Sequence, residues 1–119
     1  RIEGGNGKDR LYGGDGKDKL FGGTDNDKLF GGKDDDLLNG GSGADEFRFT
    51  SGHGGDTIED FQANVDKIDF SSYSAFNSFS DVQSSSFEFM GNTVIGSGSN
   101  TIQLVGVSLG DLDQNDFLF

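Results

Sequence analysis

The sequence predicts an all-β fold, a flattened solenoid of parallel strands followed by a β-rich cap. The first observation is a nine-residue unit that recurs head to tail from residue 4 to residue 48, in five copies that each begin with Gly-Gly. A helix would not open every period with two glycines, because glycine weakens helices. The second observation is one apolar and one acidic residue that keep their register in every copy. The third is that 10 of the 12 phenylalanines lie from Phe47 onward.

Each unit predicts a short strand at its positions 7 to 9, where position 8 is the apolar residue common to all copies. Because successive side chains of a strand point to opposite faces, such a strand turns one side chain inward. Two units then form one turn of the solenoid, and the strands of alternate units stack in parallel on two facing sheets. The position 8 residues, which form the predicted core, are Leu11, Leu20, Leu29, Leu38 and Phe47.

Positions 1 to 6 of each unit predict a glycine-rich turn. Position 4 is occupied by Gly7, Gly16, Asp25, Asp34 and Gly43. Glycine adopts positive φ at the lowest cost, and aspartate is among the few other residues that tolerate it. Position 4 is therefore predicted to be left-handed.

A sixth, degenerate unit follows two inserted residues, Phe49 and Thr50. It keeps the glycines, the aspartate and the apolar residue at positions 2, 4, 6 and 8. The predicted units are 4–12, 13–21, 22–30, 31–39, 40–48 and 51–59. The solenoid is thus expected in residues 1–59 and the cap in residues 60–119.

The second half predicts a mixed set of elements that cover an otherwise open end of the solenoid, as solenoids require. The predicted elements are strands at 56–61 and 66–71, a helical turn at 78–83 with Ser78 as N-cap, strands at 87–90 and 93–96 about a Gly91-Asn92 hairpin turn, a strand at 100–107 and a turn at 108–113.

The charge balance excludes several classes of partner. The chain has 9 Lys and Arg against 21 Asp and Glu, a net charge of −12, and only 31% hydrophobic residues. An acidic chain repels the phosphates of nucleic acids, so no nucleic-acid partner is expected. No apolar stretch approaches the ~20 residues that span a bilayer, so no membrane span is expected. A divalent cation is the most economical counter-charge.

The acidic residue at position 6 predicts where such cations bind. Stacked strands lie ~4.8 Å apart, and Ca²⁺ takes six to eight oxygen ligands at ~2.4 Å, so an ion fits between stacked aspartates. The predicted pairs, roughly four sites, are Asp9 with Asp27, Asp18 with Asp36, Asp27 with Asp45, and Asp36 with Asp56. Carbonyl oxygens of the glycine-rich turns would complete the coordination. Without the ion the facing carboxylates repel, so metal binding and folding are expected to be coupled.

The units GGNGKDRLY and GGDGKDKLF match the pattern G-G-x-G-x-D-x-U-x of the RTX, or haemolysin-type, calcium-binding repeat. The later segments GGSGADEFRF, GDTIEDFQANVDKIDFS and NTIQLVGVSLGDLDQNDFLF resemble the C-terminal domains of serralysin-type metalloproteases, secreted lipases and the R-modules of bacterial alginate epimerases. The resemblance implies a right-handed parallel β-roll. It covers nearly the whole chain.

In the family that the chain resembles, each Ca²⁺ is held by position 6 carboxylates of two stacked turns and by backbone carbonyls of positions 1 to 4. The implied side-chain ligands are Asp9, Asp18, Asp27, Asp36, Asp45 and Asp56. The implied carbonyl ligands are Gly4, Asn6, Gly13, Asp15, Gly23, Asp25, Gly32, Asp34, Gly41 and Gly43.

The resemblance also implies a location and partners. The final residues, Asp116 to Phe119, resemble the acidic-then-apolar C-terminus of type I secretion substrates, and they also fit a last β-strand. The two interpretations are compatible. Arg1 begins inside the repeat pattern, so an upstream domain of the same polypeptide is expected. The chain is thus expected to be the calcium-folded tail of a larger protein, secreted from a bacterium by type I machinery.

Catalysis within this chain is not expected. His53 is the single histidine, so neither an HExxH zinc site nor a histidine-based triad can form. The chain has no G-x-S-x-G and no G-x-G-x-x-G motif.

An alternative function is a carbohydrate-binding module for an acidic polysaccharide such as alginate. Positions 7 and 9 point outward, and on one sheet they place Arg10, Tyr12, Lys28 and Phe30 in one stripe. Aromatic rings can stack on sugars while cations meet carboxylates. The other interpretation is that these residues pack against a preceding domain or balance charge.

Overall fold

The computed structural model describes the backbone of residues 1–119 and every side chain except that of Ser97. It is a solenoid of about four turns with little helix, as the repeats predict. The strands are β1 Ile2–Gly5, β2 Arg10–Gly14, β3 Lys19–Gly23, β4 Lys28–Gly32, β5 Leu37–Gly41, β6 Glu46–Arg48, β7 Gly55–Ile58, β8 Lys67–Asp69, β9 Ser86–Phe89, β10 Asn92–Ser97, β11 Asn100–Leu104 and β12 Phe117–Leu118. The single α-helix, α1, is Phe79–Ser84.

The strands alternate between two sheets, which confirms that two units form one turn. One sheet has the order β1-β3-β5-β7-β11-β10-β9 and the other has the order β12-β8-β6-β4-β2. Within the regular units the register step is 18 residues, as in Leu11 opposite Leu29. The step lengthens where Leu38 lies opposite Ile58, because Phe49 and Thr50 are inserted between them.

The core is the predicted apolar ladder. Leu20, Leu29, Leu38 and Phe47 are completely buried between the sheets. Ile68, in the strand that follows the degenerate unit, extends the ladder and lies opposite Phe47. One large apolar side chain per unit therefore fills a thin core, and charged residues are left for the turns.

The strands are longer than predicted, and the turns are correspondingly shorter. Each regular strand from β2 to β5 has five residues and includes both glycines of the next unit, so the predicted six-residue turn is wrong in its extent. The glycines permit this because the chains approach closely: a Cβ atom on Gly23, at φ 106°, would overlap the carbonyl oxygen of Gly5. The pair Gly5 and Gly23 therefore remains in the parallel ladder.

Position 4 is left-handed in every regular unit, as predicted. Asp25 and Asp34 both have φ 74°. Their carboxylates accept hydrogen bonds from the amides of Gly7 and Gly16 in the unit 18 residues earlier, each at 2.9 Å. Aspartate therefore adopts the strained turn and also contributes a bond between turns that glycine could not form.

The cap extends both sheets of the solenoid. Strand β11 pairs in parallel with β7, and β12 pairs in parallel with β8, so the chain end does form the last strand. The helix α1 is capped as predicted, with the Ser78 side chain accepting from the amide of Asp81 at 3.3 Å. The predicted strand at 100–107 ends at Leu104.

The cap hairpin differs from the prediction by one residue. Phe89 lies opposite Asn92, so the turn residues are Met90 and Gly91 and not Gly91 and Asn92. Both have positive φ, 53° and 80°, as the tight turn between twisted strands requires. A second hairpin, between β10 and β11, had not been predicted.

An aromatic cluster fills the cap. Phe70 lies at its centre, with its ring centroid 4.9 Å from that of Phe76 and 5.9 Å from that of Phe117. Phe49, which belongs to the two-residue insertion, packs against Phe70 at 6.2 Å. The insertion therefore connects the solenoid core to the cap core.

The core ladder predicts a large effect of a single truncation. Leu29→Ala should lower the free energy of unfolding by about 2–5 kcal/mol, because it opens a cavity that the fixed stacking distance prevents from closing. The matched control is Lys19→Ala, which truncates an exposed residue and should change stability by less than ~0.5 kcal/mol. Urea unfolding in saturating calcium measures both. Equal effects of the two substitutions would contradict a core made from this ladder.

Candidate calcium sites

The position 6 aspartates of the five regular units end the four-residue turns that connect the two sheets, and Asp56 lies in β7. Because strands alternate between the sheets, turns 6–9, 24–27 and 42–45 lie along one edge of the solenoid, and the connection 59–66 follows them. Turns 15–18 and 33–36 lie along the other edge, followed by the connection 49–54. We call the space between two consecutive turns of one edge an inter-loop gap.

The structure brings together all the aspartate pairs that the sequence predicts. In each pair the carboxylate of the later turn accepts a hydrogen bond from the backbone amide of the earlier aspartate, at 2.8 Å in all cases. The pairs are Asp9 with Asp27, Asp18 with Asp36, Asp27 with Asp45, and Asp36 with Asp56. We call this arrangement the aspartate ladder.

In Asp27, Asp36 and Asp45 the ladder satisfies one carboxylate oxygen and leaves the other without a partner. The buried Oδ2 atoms that accept no hydrogen bond belong to Asp9, Asp18, Asp27, Asp36 and Asp45. Asp27 and Asp45 are each only 1% exposed. An unpaired buried carboxylate oxygen is costly. A cation in the inter-loop gap would remove that cost.

A carbonyl oxygen approaches each free carboxylate oxygen in the first gaps. The position that a Cβ atom on Gly4 would occupy lies 2.7 Å from Asp9 Oδ2 and 2.6 Å from the carbonyl oxygen of Gly22. The corresponding position on Gly22 lies 2.5 Å from both Asp27 Oδ2 and the Gly40 carbonyl oxygen. Any side chain at position 1 would therefore fill the space where these oxygens converge.

This donor set suits calcium. Carboxylate and carbonyl oxygens are the ligands that Ca²⁺ prefers, and its flexible coordination accepts a mixture of the two. Among the side chains that the structure describes, no group of three or more His, Asp or Glu converges on one metal position. Each site would therefore combine two carboxylates with backbone oxygens.

The backbone oxygens near the free carboxylates belong to position 1. Gly22, Gly31 and Gly40 supply them, and these three residues are not among the carbonyl ligands that the resemblance implies. Of the implied carbonyl ligands, Gly23 accepts a hydrogen bond from the Ser42 amide at 3.0 Å. The implied ligands Gly4, Asn6, Gly13, Asp15, Asp25, Gly32, Asp34, Gly41 and Gly43 all lie in the same turns or at their strand boundaries.

Burial and like charge change the acidity of the ladder. Burial, and after it the neighbouring carboxylates, raise the pKa of Asp36 and that of Asp45 to about 6, although a backbone amide bond opposes the shift in each. Burial also raises the pKa of Asp27. In the metal-free fold these groups therefore resist ionisation.

The ladder contains one further aspartate, Asp66, that the sequence analysis had not assigned. Its Oδ1 accepts the Asp45 amide at 2.9 Å, so Asp66 occupies the place of a position 6 aspartate. The signal was available in the sequence, because Asp66, Lys67 and Ile68 reproduce the D-x-U part of the unit. Asn64, at φ 67°, takes the left-handed place of position 4.

Like Asp66, whose Oδ2 accepts the Gln62 amide at 2.9 Å, Asp56 differs from the other ladder residues because its second oxygen has a partner. Its Oδ2 lies 2.7 Å from His53 Nδ1, and both side chains are buried. His53 packs edge-on against the rings of Phe49 and Tyr73. The single histidine of the chain therefore holds the last aspartate of its edge in place.

The outward stripe that the sequence predicts forms a shallow groove on the β2-β4-β6-β8 sheet. Tyr12 and Phe30 stack with ring centroids 4.5 Å apart, and the Arg48 guanidinium lies 5.3 Å from the Phe30 ring. The groove has a cavity volume of about 110 Å³ and is lined by Arg10, Tyr12, Lys28, Phe30, Glu46, Arg48 and Asp69.

The cations of the groove differ in their pairing. Lys28 lies 3.5 Å from Glu46, and Arg48 lies 3.0 Å from Asp69. Among the described side chains, Arg10 has no acidic partner. The groove therefore combines two stacked rings with one unpaired and two paired cations.

Comparison with known families agrees with the repeat structure. A model that describes four copies of the RTX calcium-binding nonapeptide repeat matches at residues 1–29, 12–47 and 21–55. The repeats of this chain are therefore RTX calcium-binding repeats, and they form a structural calcium-binding module. A comparison with curated protein sequences finds no significant match.

Solved structures share the fold. The extracellular lipase LipA from Serratia marcescens superimposes with a TM-score of 0.65 at 21% identity, over 97% of this chain and 20% of the lipase. The AlgE6R3 subunit of the Azotobacter vinelandii mannuronan C5-epimerase superimposes with a TM-score of 0.54 at 24% identity, over 94% of this chain and 78% of the subunit. The chain thus spans a fifth of the lipase. In the part that the structure describes, no helix could cross a membrane.

The raised pKa values predict how the calcium-free chain responds to pH. Asp36 and Asp45 bind protons near pH 6 when folded but only near pH ~4 when unfolded. The folded state therefore holds more protons in this window, and its stability should rise as the pH falls from about 6 to about 4. We expect the far-UV circular dichroism of the chain in chelator to show more β structure at pH 5 than at pH 7.5.

With calcium present, the same groups predict the opposite trend. Protons and calcium compete for the same oxygens, so the calcium midpoint should move to higher concentration at pH 5. For the calcium-free chain, a β-sheet circular dichroism signal that is unchanged or weaker at pH 5 than at pH 7.5 would contradict the predicted stabilisation of the metal-free fold by these carboxylates.

Proposed function

We propose that this chain is a calcium-dependent folding module of a larger protein that a bacterium exports by type I secretion. Where calcium is scarce the chain stays unfolded and can be threaded through an exporter. Outside the cell calcium binds in the inter-loop gaps and the chain folds. The upstream part of the same polypeptide is the cargo that the module stabilises, and the chain itself carries no catalytic step.

The observation that carries this proposal is the set of five buried carboxylate oxygens without a hydrogen-bond partner. The carboxylates of Asp27, Asp36 and Asp45 are held in place by ladder hydrogen bonds, in a chain whose net charge is −12. The repulsion within the ladder opposes folding until a cation neutralises it. Four pairs of the ladder lie within the repeats, so we propose four calcium ions there.

The expected gain in stability is large enough for a switch. A site at ~10 times its Kd contributes about 1.4 kcal/mol, so four such sites contribute over ~5 kcal/mol. This is comparable to the whole stability of a small domain, ~5–15 kcal/mol. Calcium alone can therefore decide whether the chain is folded.

A far-UV circular dichroism titration with Ca²⁺, with Mg²⁺ as the control, tests the switch. We expect a cooperative change from coil to β structure at about 10⁻⁴–10⁻³ M Ca²⁺, as in extracellular modules. Mg²⁺ should fail because it demands rigid octahedral coordination and keeps its water. A chain that is fully β in chelator at pH 7.5 would contradict the switch.

The ladder also predicts a graded response to substitution. Asp27 faces two gaps and Asp9 faces one, so Asp27→Asn should raise the calcium midpoint more than Asp9→Asn and release two ions instead of one. Asp15→Asn removes the same charge from an exposed side chain and serves as the control. Isothermal titration gives the number of ions. Equal effects of all three substitutions would show that bulk charge, and not the ladder, binds the ions.

The groove supports a second candidate function, the binding of an acidic polysaccharide such as alginate. The stacked rings of Tyr12 and Phe30 offer a flat apolar surface of the kind that sugars stack on. Arg10, which has no acidic partner among the described side chains, is free to meet a carboxylate. The epimerase subunit with the same fold belongs to an enzyme named for mannuronan.

Binding of alginate oligosaccharides to the calcium-loaded chain tests this candidate. The double variant Arg10→Ala with Lys28→Ala should lose affinity about tenfold or more, since it removes charge-assisted contacts of ~1.5–3 kcal/mol each. The variant Lys8→Ala with Lys19→Ala removes two exposed cations outside the groove and should bind as the wild type does. Equal losses in both variants would indicate attraction by charge alone.

A further inference from the structure

An exposed apolar patch lies on the outer face of the cap, around the hairpin of β9 and β10. Phe87, Phe89 and Met90 are 51%, 63% and 85% exposed. Val105, which follows the strand paired with β10, is 42% exposed. Phe87 and Phe89 point to the same face because successive side chains of a strand alternate. We call these four residues the hairpin patch. Contiguous exposed apolar residues of this kind mark interaction sites.

The hairpin patch borders an open sheet edge. Strand β9 is the last of the seven-stranded sheet, and β10 is its neighbour on one side alone. The Gly96 amide donates to the Ser85 carbonyl at 3.1 Å. Because bonded and non-bonded pairs alternate in an antiparallel ladder, Phe87 and Phe89 also bond to β10. The amides and carbonyls of Ser86 and Glu88 therefore face the open edge.

This edge lacks the protection that edge strands usually have. Charged side chains, proline or a bulge normally prevent an edge from pairing with another chain. At the opposite edge of the same sheet, Arg1 and Glu3 form an ion pair at 3.4 Å. Strand β9 contains neither lysine nor proline. Its one charged residue, Glu88, points to the inner face and accepts hydrogen bonds from the Ser108 hydroxyl and the Leu109 amide.

We propose that a second copy of this chain occupies the edge, with β9 of each copy paired antiparallel about a two-fold axis at Phe87. In this register Ser86 of each copy lies opposite Glu88 of the other, so the free backbone groups of both residues are satisfied. The two Phe87 rings lie directly opposite each other, as a cross-strand aromatic pair. Because the same surface serves both copies, the association closes at two.

The distribution of charge favours a like chain at this face. The net charge of the chain is −12, but Glu88 is the single charged residue between Asp81 and Asp111. Two copies that met through their solenoid turns would repel each other, whereas two caps present a nearly neutral surface. In the proposed register each Glu88 lies opposite Ser86 and not opposite its equivalent.

The size of the hairpin patch indicates a weak association. Aromatic side chains bury ~150–250 Å² each, so the two half-exposed rings offer only about 200 Å² in each copy. Stable interfaces bury ~800 Å² per partner. Met90, Val105 and the strand edge add to the contact without reaching that area. Dimers should therefore form at high protein concentration and dissociate on dilution.

The position of β9 leaves the rest of the module free. Strand β1 is the first strand of the sheet and β9 is the last, six strand spacings or ~29 Å away. The cargo that we propose would join the chain at Arg1, beside β1. A cap-to-cap dimer would thus carry two cargo copies at its outer ends, which permits bivalent attachment. The association itself needs only the folded cap, so it is tested apart from the proposed function.

Sedimentation equilibrium of the whole chain in saturating calcium, between about 1 μM and 1 mM, tests the association. The mass should rise with concentration from that of one chain toward that of two. Phe87→Lys places like charges opposite each other at the axis and should remain monomeric. Leu118→Lys makes the same kind of change on an exposed residue of β12, the edge of the other sheet, and should associate as the wild type does. Circular dichroism establishes that each variant is folded.

Cysteine cross-linking tests the register, because the chain has no cysteine of its own. Opposite residues at the axis have Cα atoms ~4.5 Å apart, within the ~4.4–6.8 Å that a disulfide spans. Phe87→Cys should therefore form a disulfide dimer when oxidised glutathione is the oxidant. Met90→Cys is more exposed but would lie ~20 Å from its equivalent, so it should cross-link at least tenfold more slowly.

A folded wild type that stays monomeric at 1 mM would overturn the inference, and so would a Phe87→Lys variant that associates as the wild type does. Equal cross-linking of the two cysteine variants would show random collision and overturn the register. If Phe87→Lys does not fold, the wild-type mass and the cysteine pair decide. Growth beyond two chains would overturn the closed dimer, and a monomer that binds phosphatidylcholine vesicles would overturn it in favour of a lipid surface.

Discussion

The structure depends on the double use of the position 6 aspartate. In Asp27, Asp36 and Asp45 one carboxylate oxygen accepts the backbone amide of the preceding turn, which sets the distance between turns, and the other oxygen is left buried and unpaired. The bond that builds the stack therefore also concentrates negative charge within it. The fold and the need for a cation have the same cause, so neither can be changed without the other.

The other features of the unit follow from this stacking. Turns that lie one strand spacing apart leave no room for a side chain at position 2 of a unit that stacks on an earlier one, where a Cβ atom on Gly23 would strike the Gly5 carbonyl oxygen. A flattened solenoid with two facing sheets then has space for one apolar residue per unit, such as Leu29. The cap supplies, through Phe70 and its neighbours, the thicker core that the solenoid lacks.

The sequence predicted those parts of the fold and the site that depend on chemistry repeated in every unit. The buried ladder of Leu20, Leu29 and Leu38 and the left-handed Asp25 and Asp34 were predicted because each position requires one kind of residue. The parts that it did not predict depend on contacts between distant segments. Asp66 follows Asp56 by ten residues rather than nine, so the period no longer revealed it. Asp60 accepts hydrogen bonds from the amides of Gly40 and Gly41 only because the fold brings these distant segments together.

The alternation of units between two sheets limits how such a protein can change in length. The cap continues both sheets at once, since β11 joins β7 and β12 joins β8. Removal or duplication of a single unit would transfer every later strand to the opposite sheet and reverse the surface that the cap meets. A pair of units, with the 18-residue step of the register, leaves that surface unchanged. The solenoid can therefore lengthen or shorten in whole turns while the same cap still fits its end.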